Sequence, residues 1–143
     1  MRKKPAARAA VVDRGEFGLM LAGVMMGLRP SYEAIDAVEK ALGRGVLDVA
    51  RDALAGKLSM GETAQVACEC IRAWGRETDD KGAAGSNAVR IGQLIYDSED
   101  GLHGAQQTVA AMLSLVVTGG YSASGELKPA TTKTTTEKAP VAG

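Results

Sequence analysis

Residues 15–43 read GEFGLMLAGVMMGLRPSYEAIDAVEKALG, and within them the hydrophobic period changes from two to nearly four. Phe17, Leu19 and Leu21 fall on one face of a strand, and Val24, Met26 and Leu28 on one face of the next. Ala22-Gly23 lies between them as a turn, although alanine tolerates positive φ poorly and is not a preferred hairpin residue. The weak turn pair leaves the register open; if the loop has two residues, Leu21 lies opposite Val24 and Leu19 opposite Met26, facing the core. Met20 and Met25 then pair on the outer face. A short buried helix over the same run is the competing reading. Pro30-Ser31 ends the strand and opens a helix, with Ser31 as cap and Glu33 and Asp36 near the positive end of the dipole. Tyr32, Ile35, Val38 and Leu42 form its apolar stripe, and Lys40 and Gly43 mark its end.

Four further helices are expected downstream. The second helix runs from about Val46 to Ala55, with Leu47, Ala50 and Leu54 inward and Gly56 ending it. Ser59-Met60-Gly61-Glu62 is a capping box, in which serine and glutamate satisfy each other's free amides. The helix it opens carries Val66, Ala67, Cys70, Ile71 and Trp74 on one stripe. Glu77 to Gly85 reads as a charged loop, and Ser86 as the cap of a helix burying Ala88, Ile91 and Ile95. The last helix has the clearest pattern, Leu102, Ala105, Val109, Met112, Leu113 and Val116, and closes at Gly119-Gly120. The expected fold is mainly α: a small bundle of about five short helices preceded by an N-terminal β-hairpin.

Composition agrees with a bundle. Aromatic residues are only 3% of the chain, so its core must be built from Ala, Leu, Val, Ile and Met. The 17 basic and 17 acidic residues balance, and no global field draws the protein to nucleic acid or an anionic membrane. Residues 1–14 are a basic, Ala-rich leader expected to be flexible, 15–120 carry the hairpin and helical domain, and 121–143 form a Thr/Lys/Pro-rich tail expected to be disordered. The leader and the apolar run after it have the charge order of a signal peptide. Asp13, Arg14 and Glu16 against that run, the glycines within it and the lack of an A-x-A-like site argue against one. No segment is long enough to span a bilayer.

A search for chemistry excludes most classes. Cys68 and Cys70 are two residues apart on a helix, about 200° in rotation, so they neither bridge nor chelate one ion. Cys70 lies on the apolar stripe and reads as a small core residue. His103 is the only histidine and falls off the stripe of its helix, so it reads as surface rather than as part of a triad. Asp97-Ser98-Glu99-Asp100-Gly101 departs from a calcium loop, with its glycine one position early and Thr108 where a bidentate glutamate is required. Gly56-Lys57-Leu58-Ser59 lacks the glycine spacing of a phosphate loop. Arg2, Lys3, Lys4 and Arg8 without interleaved aromatics give only weak, sequence-blind contact with nucleic acid. No catalytic residue, cofactor or metal site is expected, which leaves a binding or assembly protein.

Gly15-Glu16-Phe17, Gly23, Leu28-Arg29-Pro30-Ser31-Tyr32-Glu33-Ala34-Ile35, Val38-Glu39 and Gly43 together resemble the tail assembly chaperones of long-tailed phages. The likeness is to the branch that includes gene transfer agent tail proteins. That family opens with a G-E-[VF] strand and a Gly-containing turn, then enters a helix through L-R-P-[ST], followed by an alanine and an [IV]-E pair. The resemblance spans Gly15 to about Gly119, while the leader and tail fall outside it, and the strand pair here is unusually apolar and Met-rich.

The resemblance implies a non-enzymatic protein that coats the tape measure protein while tail tube subunits polymerise around it, acting in the bacterial host cytoplasm. The expected partner is the tape measure protein, with tail tube subunits and a second copy of the chain as further candidates. Nucleic acid as a specific ligand and membrane are not expected. Met20 and Met25 are the expected partner surface, because thioethers repack around varied apolar side chains. Glu16, Gly23, Leu28, Arg29, Pro30, Ser31, Ala34 and Glu39 are expected to be structural, with Arg29 and Glu39 orienting the hairpin against the first helix. The alternative is a structural virion component, such as a tail-completion or connector subunit.

Overall fold

The computed structural model describes residues 16–129. The basic leader, Gly15 and residues 130–143 lie outside the described residues. An antiparallel hairpin, β1 (Gly18–Leu21) and β2 (Val24–Gly27), leads into α1 (Tyr32–Leu42), α2 (Val46–Leu54), α3 (Met60–Glu77), α4 (Lys81–Ala84), α5 (Ala88–Tyr96) and α6 (Gly101–Val117). The fold is thus a small helical bundle preceded by a hairpin, with a short α4 inside the stretch expected to be a loop.

The hairpin adopts the two-residue register: Leu19 pairs with Met26, Met20 with Met25 and Leu21 with Val24. Ala22 takes φ 53° and Gly23 φ 75°, the paired left-handed conformation that matches strand twist. Alanine therefore occupies a position that L-residues disfavour. The buried-helix reading of this run is overturned. Leu19 and Leu21 enter the core, and Gly27 lies where a Cβ would overlap the Trp74 indole.

α1 begins and ends as expected. The Ser31 hydroxyl accepts from the Ala34 amide at 3.1 Å, and Gly43 closes the helix at φ 70°. Its buried residues are Ala34 and Val38, while Tyr32 stands exposed, so the expected stripe is one residue too wide. In α2 the expected phase is wrong. Val49, Ala50 and Ala53 are buried, whereas Leu47 and Leu54 are 56% and 62% exposed. The buried face is the i, i+3, i+4, i+7 stripe of Val46, Val49, Ala50 and Ala53, which packs toward α6. Beside it Arg44 binds Asp48 and Asp52, each at 2.8 Å, and Glu62 on α3 at 3.1 Å.

α3 is the central element. Val66, Ala67, Cys70, Ile71 and Trp74 are buried as expected, but so are Thr63, Ala64, Cys68, Ala73 and Gly75, because neighbours cover the helix on several sides. At Gly75 a Cβ would run into the backbone of Ala83 and Ala84, so glycine is what lets α4 seat there. The cap of α5 is Asn87 rather than Ser86, its Oδ1 accepting from the Arg90 amide at 2.8 Å. In α6 Ala105, Val109, Met112 and Leu113 are buried, with Leu102 and Val116 packed at the margin.

The chain stays ordered past the expected boundary at 120. Tyr121 bridges to Leu127, the Tyr32 amide donates to the Ala123 carbonyl at 2.8 Å, and the Arg29 Nε donates to the Ser124 carbonyl at 2.8 Å. Residues 121–129 thus belong to the fold; low complexity begins only beyond them.

Two substitutions test this account by urea unfolding. Gly27→Ala is expected to destabilise by about 1–3 kcal/mol, the usual cost of overpacking a filled site. Ala22→Asn is expected to stabilise by about 1 kcal/mol, because asparagine tolerates the left-handed conformation that alanine resists.

Candidate functional site

The feature that stands out at the surface is an apolar groove between α3 and α5, about 620 Å³ in volume. Its floor is made of small residues, Gly61 and Ala64 on α3 with Ala88 and Gly92 on α5. A Cβ at Gly92 would stand 3.3 Å from the Ala64 Cβ, so the two helices meet closely along this line. Met60, Val89 and Tyr96 rise around it and are 44%, 72% and 74% exposed. Gln65 and Gln93 supply the polar atoms of the lining. Close helix approach over small residues, with large apolar side chains at the rim, leaves a channel that an apolar helix can enter.

The groove is held by caps and ion pairs. Ser59 and Glu62 make the expected capping box, with both bonds at 3.1 Å. The second oxygen of Glu62 accepts from Arg44, so the α3 N-terminus that carries Met60 and Gly61 is tied to the start of α2. The three carboxylates around Arg44, led by Asp48 and Asp52, raise its pKa above the ordinary guanidinium range and keep it charged. Gln106 of α6 donates to the Leu58 carbonyl at 2.7 Å, fixing the turn just before the capping box.

None of the residues expected as partner surface or as part of the 15–43 motif lines this groove. Met20 is 52% exposed, but Met25 is only half-exposed, its sulfur lying over Gly18, and Trp74 covers the Gly27 end of the same hairpin face. The two methionines do pair across the strands, yet they offer one accessible thioether rather than a broad patch. Leu28, Pro30 and Ala34 are buried, Ser31 caps α1, Gly23 completes the turn, and half-buried Glu16 lies near Tyr121. Glu39 accepts from the Val46 amide at 2.8 Å and so orients α2 rather than the hairpin. Arg29 serves the hairpin through its backbone, its amide donating to the Cys70 carbonyl at 3.0 Å, while its side chain holds the Ser124 loop.

The groove was missed because Ala88, Ile91 and Ile95 already account for a core face of α5. The signal was Val89 and Tyr96, seven residues apart with Gly92 between them, a second apolar stripe on the opposite face. Cys68 and Cys70 are both buried thiols, although they diverge around the helix axis. His103 is exposed. Among the described residues no three His, Cys, Asp or Glu side chains converge as a metal site.

Burial raises the pKa of Cys70 strongly, that of Cys68 less, and also that of the Tyr121 phenol. A group whose folded pKa is raised contributes stability that is complete below its unfolded pKa and is lost as pH climbs past it. The ordinary thiol value is 9.0, so stability is expected to fall with rising pH above about 9, where the unfolded chain ionises and the native one does not. Urea midpoints between pH 7 and pH 10.5 check this, and the alkaline slope is expected to shrink in Cys70→Ala. Comparison with protein-family models, curated proteins and solved structures finds no match to this chain.

Proposed function

We propose that the chain is an assembly chaperone of the phage tail type, which shields an apolar helical segment of a tape measure protein in the groove between α3 and α5. The observation that carries this reading is the groove itself: a floor of Gly61, Ala64 and Gly92 under exposed Met60, Val89 and Tyr96. Large apolar side chains gathered around one small-residue channel offer a contiguous apolar contact for a partner. A client that must be held and later released calls for a shallow apolar contact with few directional bonds, and Met60 adapts its shape to varied side chains. The resemblance of residues 15–43 to tail assembly chaperones supplies the class of client. The motif residues then build the scaffold, and the contact surface lies on helices outside the motif.

The reading is tested by co-expression with the tape measure protein encoded nearby. Tagged wild-type protein is expected to recover a soluble complex from a client that is insoluble when expressed alone. Val89→Asp with Tyr96→Asp is expected to abolish recovery, since it puts two charges on the exposed α5 wall while leaving Ile91 and Ile95 in place. Met20→Ser with Met25→Ser is expected to weaken recovery less, because only Met20 is well exposed. Recovery unaffected by the groove variant would move the client site elsewhere. No complex with wild type, and the chain present in purified particles, would favour a structural virion component.

A further inference from the structure

We infer that a second copy of this chain docks along the outer stripe of α5, in an antiparallel, two-fold arrangement centred between Gly92 and Gln93. Val89, Gln93 and Tyr96 project from the side of α5 opposite Ile91 and Ile95, and Val89 and Tyr96 are among the most exposed large apolar side chains described. The stripe is self-complementary. Turned about its middle, Val89 comes opposite Tyr96 of the second copy, so large meets large at both ends. An isologous contact requires that symmetry of a single surface.

Charge points the same way. α5 carries one cation, Arg90, in its first turn, and Asp97 caps its last. Both are exposed, and among the described residues neither has an ion-pair partner. Each also stands at the end of the helix where the dipole disfavours it, a cation near the positive end and an anion at the negative end. Helical rotation puts both on the same flank of the apolar stripe, the flank away from the groove. In an antiparallel two-fold pair, equivalent flanks face each other. Arg90 then lies about 3 Å along the axis from the level of the second copy's Asp97, two residues of helical rise, and the pair occurs twice. The arrangement joins each misplaced charge to its opposite and covers the α5 wall of the groove. The second copy and a client therefore compete for Val89 and Tyr96, and the dimer is the form that keeps the groove shut before a client arrives.

Sedimentation velocity over a concentration series tests the inference on the full chain. Wild-type protein is expected to pass from monomer to dimer as concentration rises. Arg90→Glu and Asp97→Arg are each expected to weaken dimerisation about tenfold, because each puts like charges together at both ends of the contact. Arg90→Glu combined with Asp97→Arg is expected to regain the wild-type dimer. Circular dichroism confirms that each variant keeps its helical content. A chain that is monomeric at every concentration overturns the inference. So does a dimer indifferent to the single reversals, or one that the double reversal fails to restore, since either places the contact on another face. The inference stands apart from the identity of the client: sedimentation reads the second copy, and the pull-down reads the tape measure protein.

Discussion

Close approach to α3 is the constraint on which the rest of the molecule depends. β2, α1, α4, α5 and α6 all pack on that helix. Three of these contacts run through a glycine. Gly27 meets the Trp74 indole, Gly75 admits the backbone of α4, and Gly92 brings α5 against Ala64. A helix surrounded in this way keeps only a narrow polar stripe, Gln65, Glu69, Arg72 and Arg76. Thr63 and Cys68, off its apolar stripe, are as deeply buried as Val66 and Ile71. Thr63 is accommodated because its hydroxyl donates to the Ser59 carbonyl at 2.9 Å, returning the buried polar atom to the helix backbone.

The core holds Ile71, Trp74, Ile91, Ile95, Met112 and Leu113, yet other large apolar side chains stand outside it. Leu47, Leu54, Val89 and Tyr96 are all more than half exposed. In α2 the buried stripe is Val46, Val49, Ala50 and Ala53, and Leu47 and Leu54 lie off it. In α5 the exposure follows from the Gly92–Ala64 contact, which brings the helices so near that Val89 and Tyr96 have no room between them. The outcome in α5 is a groove rather than a scatter of single residues, and that is the difference between ordinary surface apolarity and a surface suited to a partner. The proposed chaperone function and the proposed dimer use the same physical property, a wall of apolar side chains that needs cover.

The sequence was read well where a local rule decides and poorly where two faces of a helix competed. Ser31, the Ser59–Glu62 box and Gly43 were legible because a cap is satisfied within its own turn. The hairpin register was not legible, because Ala22-Gly23 is a poor turn signal and both strand faces are apolar, so a slip by one residue has no clear penalty in the sequence. Ser86 against Asn87 was a choice between adjacent capable caps, and the start of α5 settled it. Tyr121 to Leu127 looked like the beginning of a polar tail, yet its backbone groups find partners on Arg29 and Tyr32, nearly a hundred residues away in the chain.

By itself, then, the sequence determined the fold class, the order of the main elements and the residues that cap them, since period and capping are short-range properties. It also carried the motif resemblance of residues 15–43, which turns out to lie in scaffold: a turn, a cap, a core alanine and the Glu39 bond that aims α2. Only the tertiary structure decided which face of α2 points inward and where the second stripe of α5, Val89 and Tyr96, comes to lie, because the neighbours of both helices are distant in sequence. The candidate site is a product of that placement. Its residues come from two helices separated in sequence, and nothing short-range relates Ala64 to Gly92 until α3 and α5 touch.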